Sequence, residues 1–265
     1  MTKKRKNSRS KRGMTILMVI LTLLFAGLSC ATFISPYVSP LKTVIFHYLG
    51  LVSPFILAGD LILLIYWIIK KRIWLVVPLI SIVLNIGYIS SMVRVGISKN
   101  DKESALRVAT YNIDNFGEGK NLNPIVRFIS SQDIDIIALQ EAWDFSLDIL
   151  KKNFSEYNYI NKKGELVIMS KYPILDVNSQ QLPNQTGYIF SAKIDYKGEN
   201  ILFATTHLQT TGISSIPRRV KSSGYLSFKG EQYRFSKNAR VRAKQANAVA
   251  KYIDILGKIE GFPIK

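Results

Sequence analysis

The sequence predicts two dissimilar parts, an α-helical membrane region followed by a layered α/β body. Residues 1–99 hold 13 Lys and Arg but one acidic residue, Asp60, whereas the rest of the chain holds 23 basic and 17 acidic residues. Long apolar runs occupy the first part, and short apolar runs alternate with helical patterns in the second. A disordered polar chain is excluded by this composition, and the lone Cys30 excludes a disulfide scaffold.

Three apolar runs, at residues 14–34, 43–69 and 73–93, predict transmembrane helices. About 20 helical residues cross roughly 30 Å of hydrocarbon, and each run is at least that long. A basic leader, residues 1–13, precedes the first run, so a cleaved signal peptide is the alternative there. Because basic residues also cluster at 70–72, we expect a cell-membrane protein with its N-terminus in the cytoplasm and its soluble domain on the non-cytoplasmic side.

One carboxylate, Asp60, falls within the second run. A charge at that depth is costly unless it finds a partner. Asn85 lies at a similar predicted depth in the third run, so we expect the two side chains to hydrogen-bond and hold these helices together. A transport role would need more polar groups than these runs contain.

A predicted linker covers residues 94–104. After it the sequence pattern changes, and residues 105–265 predict a separate domain. Short runs rich in Ile, Val, Phe and Tyr, bounded by polar residues, predict strands, several of them continuous enough to be buried on both faces. The predicted strands are 106–111, 134–139, 166–170, 188–194 and 201–206. Strands that alternate with helices indicate an α/β layered fold.

Helical patterns lie between and after these strands. Residues 123–131 and 145–153 predict helices, and residues 197–200 predict a hairpin turn. Apolar residues recur at helical spacing from 239 to 256, with Ser236 as a candidate N-cap and Gly257 where the helix would end.

Three polar residues directly follow predicted strands, where loops present side chains to a site. Asn112, Glu141 and His207 are these residues. Each has a structural alternative: an Asn after a strand is commonly a turn residue, a Glu can cap the next helix, and a single His is commonly a structural polar group.

Together the neighbours of these residues form a pattern that resembles the endonuclease/exonuclease/phosphatase family. The motifs that carry the resemblance are Thr-Tyr-Asn-Ile-Asp at 110–114, Asp-Ile-Ile-Ala-Leu-Gln-Glu at 135–141, Thr-His-Leu at 206–208, Leu-Val-Ile-Met-Ser-Lys-Tyr-Pro at 166–173, and the helix containing Arg240, Arg242 and Gln245. The resemblance covers residues 105–265 and implies a DNase I-like layered α/β sandwich whose C-terminal part is incomplete.

The resemblance also implies a chemistry. One or two divalent cations, Mg²⁺ or Mn²⁺, would polarise a phosphoryl oxygen while water attacks. Glu141 is the implied metal ligand, assisted by Asn112, and His207 is implied to hydrogen-bond the phosphoryl oxygens. Gln209 and Arg240 are implied substrate contacts, whereas Asp114 has no implied role.

The sequence departs from the family pattern in two motifs. The family has a Gly-Asp-x-Asn strand, whose Asp activates the attacking water, and a late Ser-Asp-His, and residues 1–265 contain neither. We expect the chain to be a fragment of a longer product and to be inactive by itself, because loss of a general base costs about 10²–10⁴ in rate. The alternative is a pseudoenzyme, a non-catalytic membrane-anchored binding module.

A basic stretch at residues 218–244 contains nine Lys and Arg, one Glu and four interleaved aromatic residues. It is compatible with a nucleic-acid backbone, with an anionic lipid surface, or with a solvated loop and helix face. The resemblance, together with the three apolar runs, implies a membrane-anchored, metal-dependent phosphoester hydrolase, with nucleic acid, a phospholipid head group or a small phosphoester as substrate.

Overall fold

The computed structural model describes residues 2–92, 106–118, 122–143, 147–184, 187–213, 215–225 and 227–260. The chain divides into two compact units, Met1–Lys99 and Asn100–Lys265. The predicted linker at 94–104 lies outside the described residues.

The N-terminal unit is built from helices α1 (Thr2–Ile34), α2 (Ile45–Ile69), α3 (Val76–Leu84) and α4 (Ile86–Met92), with 3₁₀ turns at Ser35–Tyr37 and Ile73–Leu75. Two segments, Arg12–Tyr37 and Ile45–Ile69, are long and apolar enough to cross a membrane. The third apolar helical segment, Ile73–Leu84, is shorter.

The third predicted span is therefore not one continuous helix, because α3 ends at Asn85. The backbone of Asn85 leaves the helical region, with φ −92° and ψ 10°. Its side-chain Nδ2 donates to the Ser81 carbonyl at 3.0 Å and to the Ser29 carbonyl at 3.1 Å. A short polar side chain that bonds nearby carbonyls competes with the helical ladder, which explains the break.

Burial in the N-terminal unit is the reverse of that in a soluble helical bundle. Its buried polar side chains are Thr22, Ser29, Thr32, Ser53, Asp60, Ser81 and Asn85. Its exposed side chains are mainly large and apolar, including Ile62, Phe55 and Ile69 at 67–77% exposure. Polar side chains hydrogen-bond one another inside, as when the indole Nε1 of Trp67 donates to Thr22 Oγ1 at 2.8 Å.

Asp60 and Asn85 do not pair directly as the sequence suggested; both hydrogen-bond Ser29 of α1. Ser29 Oγ donates to Asp60 Oδ2, and Asn85 Nδ2 donates to the Ser29 carbonyl. Asp60 Oδ1 and Asn85 Oδ1 are buried and have no hydrogen-bond partner among the described residues. The polar contact therefore joins three helical segments through α1, which the spacing of the second and third runs did not reveal.

The C-terminal unit contains seven described strands and five helices. The strands are β1 (Val108–Asn112), β2 (Ile136–Gln140), β3 (Tyr159–Lys163), β4 (Leu166–Ser170), β5 (Ile174–Gln181), β6 (Tyr188–Tyr196) and β7 (Glu199–Thr206). The helices are α5 (Asp114–Glu118), α6 (Leu122–Ser130), α7 (Leu147–Asn153), α8 (Ile216–Ser223) and α9 (Phe228–Glu260).

The strands form two sheets that pack face to face. One sheet has the order β1-β2-β4-β3, in which β1 and β2 are parallel and the other pairs antiparallel. The other is the antiparallel sheet β5-β6-β7. Between them lies an apolar core of Ile136, Leu166, Ile168, Phe190, Ala192 and Ile194. The continuous apolar runs of β2 and β4 are fully buried because both faces of this sheet are covered.

Helices cover the outer faces of both sheets. The larger sheet buries Ile129 of α6, Leu150 of α7 and Phe116 of α5 in one cluster. The smaller sheet packs Ile189 against Tyr252 and its neighbours on α9. The C-terminal unit is thus a layered α/β sandwich, as the sequence predicted.

Several elements differ from the sequence-based expectations. Strands β3 and β5 were not predicted, because their sequences are polar and they lie at sheet edges, where a strand needs no continuous apolar run. Helix α8 was also missed. Helix α9 begins at Phe228 and runs past Gly257 to Glu260, so Ser236 lies inside it and is no N-cap. An interior Gly is tolerated where packing supports the helix.

Candidate active site

The parallel pairing of β1 and β2 brings the first two candidate residues together. Asn112 ends β1 directly opposite Gln140, the last residue of β2, so Glu141 follows at the same edge of the sheet. Asn112 Nδ2 donates to Glu141 Oε1 at 2.7 Å. Asn112 Oδ1 accepts from the Asp114 backbone N–H at 2.9 Å. The Asn side chain therefore holds the carboxylate and the turn after β1 in one arrangement.

The backbone at Glu141 is held in an uncommon conformation. Its φ is +61°, in the left-handed region that a non-glycine residue rarely occupies. The Asn115 N–H donates to the Glu141 carbonyl at 2.8 Å, and the Ala142 N–H donates to the Glu165 carbonyl at 3.0 Å. These bonds on both sides of the residue stabilise the bend, and backbone strain of this kind clusters at functional sites.

His207 reaches the same place from the other sheet. It directly follows β7, and its Nε2 lies 3.3 Å from Glu141 Oε1. The buried Gln140 ties the sheets together beside the site, because its Nε2 donates to Thr110 Oγ1 at 2.8 Å and to Thr205 Oγ1 at 3.0 Å. Asn112, Glu141 and His207 thus converge on one cluster, although 95 residues of sequence separate the first from the last.

A second carboxylate, Glu165, stands behind the imidazole. His207 Nδ1 lies 3.6 Å from Glu165 Oε1, which is ion-pair distance but too long for a hydrogen bond. The Glu165 side chain is buried, and burial raises its pKa above the ordinary value, with the Glu141 charge acting in the same direction. The nearby His207 opposes this shift. The imidazole therefore lies between two carboxylates, one partly exposed and one buried.

Gly187 closes the site behind Glu165. Its φ is +84°, which only glycine adopts freely, and a Cβ there would lie 3.2 Å from Glu165 Oε1 and 3.5 Å from the His207 carbonyl. The backbone can therefore approach the buried carboxylate closely only because residue 187 has no side chain.

The cluster opens into a cleft of about 450 Å³. Its lining residues are Glu141, Trp143, Glu165, Gly187, His207, Leu208, Gln209 and Thr210. Trp143 is 58% exposed at this cleft, an unusual position for a large aromatic side chain. The cleft has the size of a small-molecule site, with polar groups that converge on one region.

Gln209 and Arg240, the two residues implied to contact substrate, lie farther from Glu141 than His207 does. Gln209 lines the cleft and also a second cavity, where Arg240 is found. The Gln209 backbone is fixed by α9, since its N–H donates to Gln245 Oε1 at 2.8 Å and its carbonyl accepts from Arg242 Nη1 at 2.8 Å. Arg240 does not line the cleft that contains Glu141.

The donor set at the cleft fits a weakly held divalent cation. Among the described residues, no three His, Cys, Asp or Glu side chains form a group that could hold a metal ion. Glu141 nevertheless supplies a carboxylate that is 28% exposed at the cleft. Mg²⁺ is commonly held by one or two carboxylates, with water and substrate phosphates completing its shell. Asn112 Oδ1 already accepts from the Asp114 N–H, so a cation there would share this oxygen through its second lone pair.

The sequence did not identify Glu165 and Gly187 as site residues. Glu165 follows Lys163 and Gly164 at a turn, where a charged residue is ordinarily solvated. Gly187 precedes β6 and carries no chemical group to notice. The face-to-face packing of the two sheets brings Glu165 beside His207, whereas the pairing of β6 with β7 brings Gly187 there.

Solved structures similar to this chain include TDP2 from D. rerio in complex with a single-strand DNA product. It is 15% identical, with a TM-score of 0.37 over 46% of this chain and 57% of that one. A truncated TDP2 from Caenorhabditis elegans is 22% identical, with a TM-score of 0.35 over 48% and 58% of the two chains. The chain thus spans little more than half the length of these structures. No curated protein matches it.

Sequence profiles match both parts of the chain. A domain of unknown function matches residues 15–92. The profile described as Endonuclease/Exonuclease/phosphatase family matches residues 109–250, more than half of the chain and all of the cluster described above. The chain belongs to the endonuclease/exonuclease/phosphatase family of nucleases and phosphoesterases.

Proposed function

We propose that the C-terminal unit is a divalent-metal-dependent phosphoester hydrolase, with Glu141 as the ligand of Mg²⁺ or Mn²⁺. The observation that carries this proposal is the convergence of Asn112 and His207 on one oxygen of Glu141, at 2.7 and 3.3 Å, within an open cleft. A bound cation would polarise a phosphoryl oxygen and offset the negative charge of a phosphoester.

The roles of the three side chains follow from their contacts. Asn112 orients the Glu141 carboxylate through a charge-assisted hydrogen bond. His207 faces the cleft and is placed to donate a hydrogen bond from Nε2 to a phosphoryl oxygen as charge develops there. Glu165 acts on the reaction through His207: its carboxylate faces Nδ1 and keeps the ring in the orientation that turns Nε2 toward Glu141.

The hydrolase proposal is tested with the full chain in detergent and bis(4-nitrophenyl) phosphate as substrate. Because residues 1–265 contain no Gly-Asp-x-Asn, we expect slow turnover, roughly 10²–10⁴ below that of a site with a general base. Mn²⁺ binding, followed by electron paramagnetic resonance, is measured beside turnover. Glu141→Gln should abolish both, whereas Glu199→Gln, in the exposed hairpin between β6 and β7, should change neither.

Two results would count against this assignment. If Mn²⁺ binding and turnover survive Glu141→Gln, Glu141 is not the ligand and the proposal is wrong. If Mn²⁺ and a phosphodiester bind through Glu141 but no hydrolysis occurs at high enzyme concentration, the protein is the non-catalytic binding module.

We further propose that the N-terminal unit anchors the protein in a lipid bilayer. Its helices place hydroxyl, amide and carboxyl groups inside and Leu, Ile and Phe outside, an arrangement that lipid favours and water does not. The broken third segment, residues 73–92, is still 20 residues long, about the thickness of the hydrocarbon core. With three crossings, as we propose, the C-terminal unit would lie on the side of the bilayer opposite the basic N-terminus.

The topology is tested by cysteine labelling in intact cells. The sole native cysteine is replaced in Cys30→Ser, and a new cysteine is introduced in Lys197→Cys, at the exposed hairpin turn. An impermeant maleimide should label this variant before lysis. Labelling that requires lysis would put the C-terminal unit on the cytoplasmic side, and the proposed topology would be wrong.

A further inference from the structure

A second cavity, of about 630 Å³, lies beside the cleft and is unexplained by the chemistry at Glu141. Its lining residues are Asn184, Gln209, Tyr233, Ser236, Lys237, Asn238, Arg240, Val241 and Lys244. Most of them belong to the first half of α9. None of these described lining residues is acidic, and three are cationic, so the cavity is suited to an anionic ligand.

The cationic residues form a stripe on one face of α9. Tyr233, Lys237, Arg240 and Lys244 are spaced by four, three and four residues, so they point in one direction along the helix. None of the three cations makes a salt bridge with a described residue. Three charges without acidic partners in one concave surface favour a ligand with phosphate groups.

Other basic residues in the same stretch have structural roles instead. Arg219 is bonded to both carboxylate oxygens of Glu231 and to the Gly212 carbonyl. Arg242 donates to the Gln209 carbonyl. The basic stretch from 218 to 244 is therefore not a uniform charged surface. The cations that line a concave surface and stay available to a ligand are those of the cavity.

The cavity and the cleft are neighbours through Gln209, which lines both. At this boundary α9 bonds both polar groups of the Gln209 backbone, because Gln245 Oε1 accepts from its N–H and Arg242 Nη1 donates to its carbonyl. Because the two spaces share Gln209, they suit a ligand with several phosphates, one held at Glu141 and His207 and another held at the stripe of α9. A molecule with a single phosphate cannot occupy both.

Exposed aromatic side chains flank this path. Tyr233 is 69% exposed at the cavity, and Trp143 is 58% exposed at the cleft. Aromatic faces beside cations are the usual platform for unpaired bases, and Asn184, Asn238 and Gln209 add amide groups that hydrogen-bond base edges. A bilayer surface is flat, so it would leave this concave lining unfilled.

We propose that the α9 cavity is a nucleotide-binding subsite for single-stranded nucleic acid, which holds the nucleotide next to the phosphoester at Glu141. This proposal rests on the proposed function for the identity of the neighbouring phosphate. Binding in the cavity itself needs neither a cation nor hydrolysis, so the two can be tested separately.

The test measures fluorescence anisotropy of a labelled eight-nucleotide single-stranded DNA with the full chain in EDTA. The cavity variant combines Lys237→Ala, Arg240→Ala and Lys244→Ala. We expect it to bind about 10- to 100-fold more weakly, and its plot of log affinity against log salt to lose about 2 from its slope, since each phosphate contact contributes about 0.7. Tyr233→Ala alone should weaken binding about tenfold, and Tyr233→Phe should restore it.

A matched control removes the same charge elsewhere. Lys151, Lys152 and Lys251 are exposed and do not line the cavity, so replacing all three with Ala should leave the affinity within about twofold. Equal losses in the control and cavity variants would overturn the proposal, as would DNA binding by the cavity variant at the wild-type level.

The same variants distinguish the other outcomes. If the cavity variant loses binding to vesicles that contain phosphatidylserine but keeps DNA binding, the cavity contacts lipid and the proposal is wrong. Oligonucleotide binding is measured in EDTA, whereas turnover of bis(4-nitrophenyl) phosphate is measured with Mn²⁺, so the two readouts are independent. Hydrolysis can therefore fail while the subsite stands, and the subsite can fail while cation-dependent hydrolysis remains.

Discussion

The role of Glu165 behind His207 can be tested by adding one methyl group, in Gly187→Ala. A Cβ at this position would lie 3.2 Å from Glu165 Oε1, closer than ordinary van der Waals contact, so the carboxylate or the backbone must move by a few tenths of an ångström. Either movement changes the 3.6 Å separation between Glu165 and His207. The substitution therefore alters the buried side of the imidazole without removing any chemical group.

The cost in stability can be separated from the effect on the site. Gly187 has φ +84°, and a left-handed L-residue costs roughly 1–2 kcal/mol. For a unit of this size that lowers the Tm by about 2–8 °C. Gly198 has φ +90° with nothing within 4 Å of its Cβ position, so Gly198→Ala carries similar backbone strain without contact with the site.

The readout is the His207 ring, measured by ¹H–¹⁵N NMR of the imidazole nitrogens. The chain contains only two histidines, and His47 lies in the N-terminal unit, so assignment needs a single His47→Gln spectrum. Gly187→Ala should shift the His207 nitrogen signals and lower phosphodiester hydrolysis about 10-fold or more. Unchanged His207 signals, together with a Tm loss equal to that of Gly198→Ala, would refute a positioning role for Glu165.

Three further outcomes are expected. Burial raises the pKa of Glu165 above the ordinary glutamate value. Between these two pKa values unfolding releases a proton, so the stability of the fold falls as the pH rises. Glu165→Gln should remove this dependence of the Tm on pH, as measured by thermal unfolding across pH. Asn112→Ala removes the 2.7 Å bond to Glu141 and should weaken Mn²⁺ binding about 10-fold in a paramagnetic titration. Gly59→Ala places a Cβ against the Phe25 ring, so the ring must leave its position or α1 and α2 must shift, and the free energy of unfolding in detergent should fall by about 1–3 kcal/mol.

Each of these variants has a control that differs in one respect. Glu199→Gln removes an exposed carboxylate and should keep the wild-type pH dependence. Asn200→Ala removes an exposed amide away from the cleft and should bind Mn²⁺ normally. Gly27→Ala adds a methyl group in α1 where nothing lies within 4 Å, and should unfold like the wild type. If a control variant behaves like the test variant with which it is paired, the explanation given for that test variant is wrong.

The sequence by itself determined the fold class and the three polar residues at the centre of the candidate site. Continuous apolar runs in β2 and β4 predict buried strands because a strand covered on both faces needs apolar side chains throughout. The sequence identified Asn112, Glu141 and His207 because each follows a predicted strand. A polar side chain at such a position is not needed for packing, so its presence indicates a site. The apolar composition of residues 14–69 likewise predicts helices suited to lipid, since no partner in the chain is needed to explain them.

Tertiary structure alone decided which residues surround those three. Glu165 meets His207 only because the two sheets pack face to face, and no spacing along the chain encodes that contact. The basic stretch divides into two kinds of side chain. Arg219 and Arg242 have an acceptor within reach and are structural, whereas the cations that line the α9 cavity remain available. Asp60 and Asn85 each bond Ser29 for the same reason: long-range contacts arise from helix packing in three dimensions, whereas periodicity records only which face of an element is apolar.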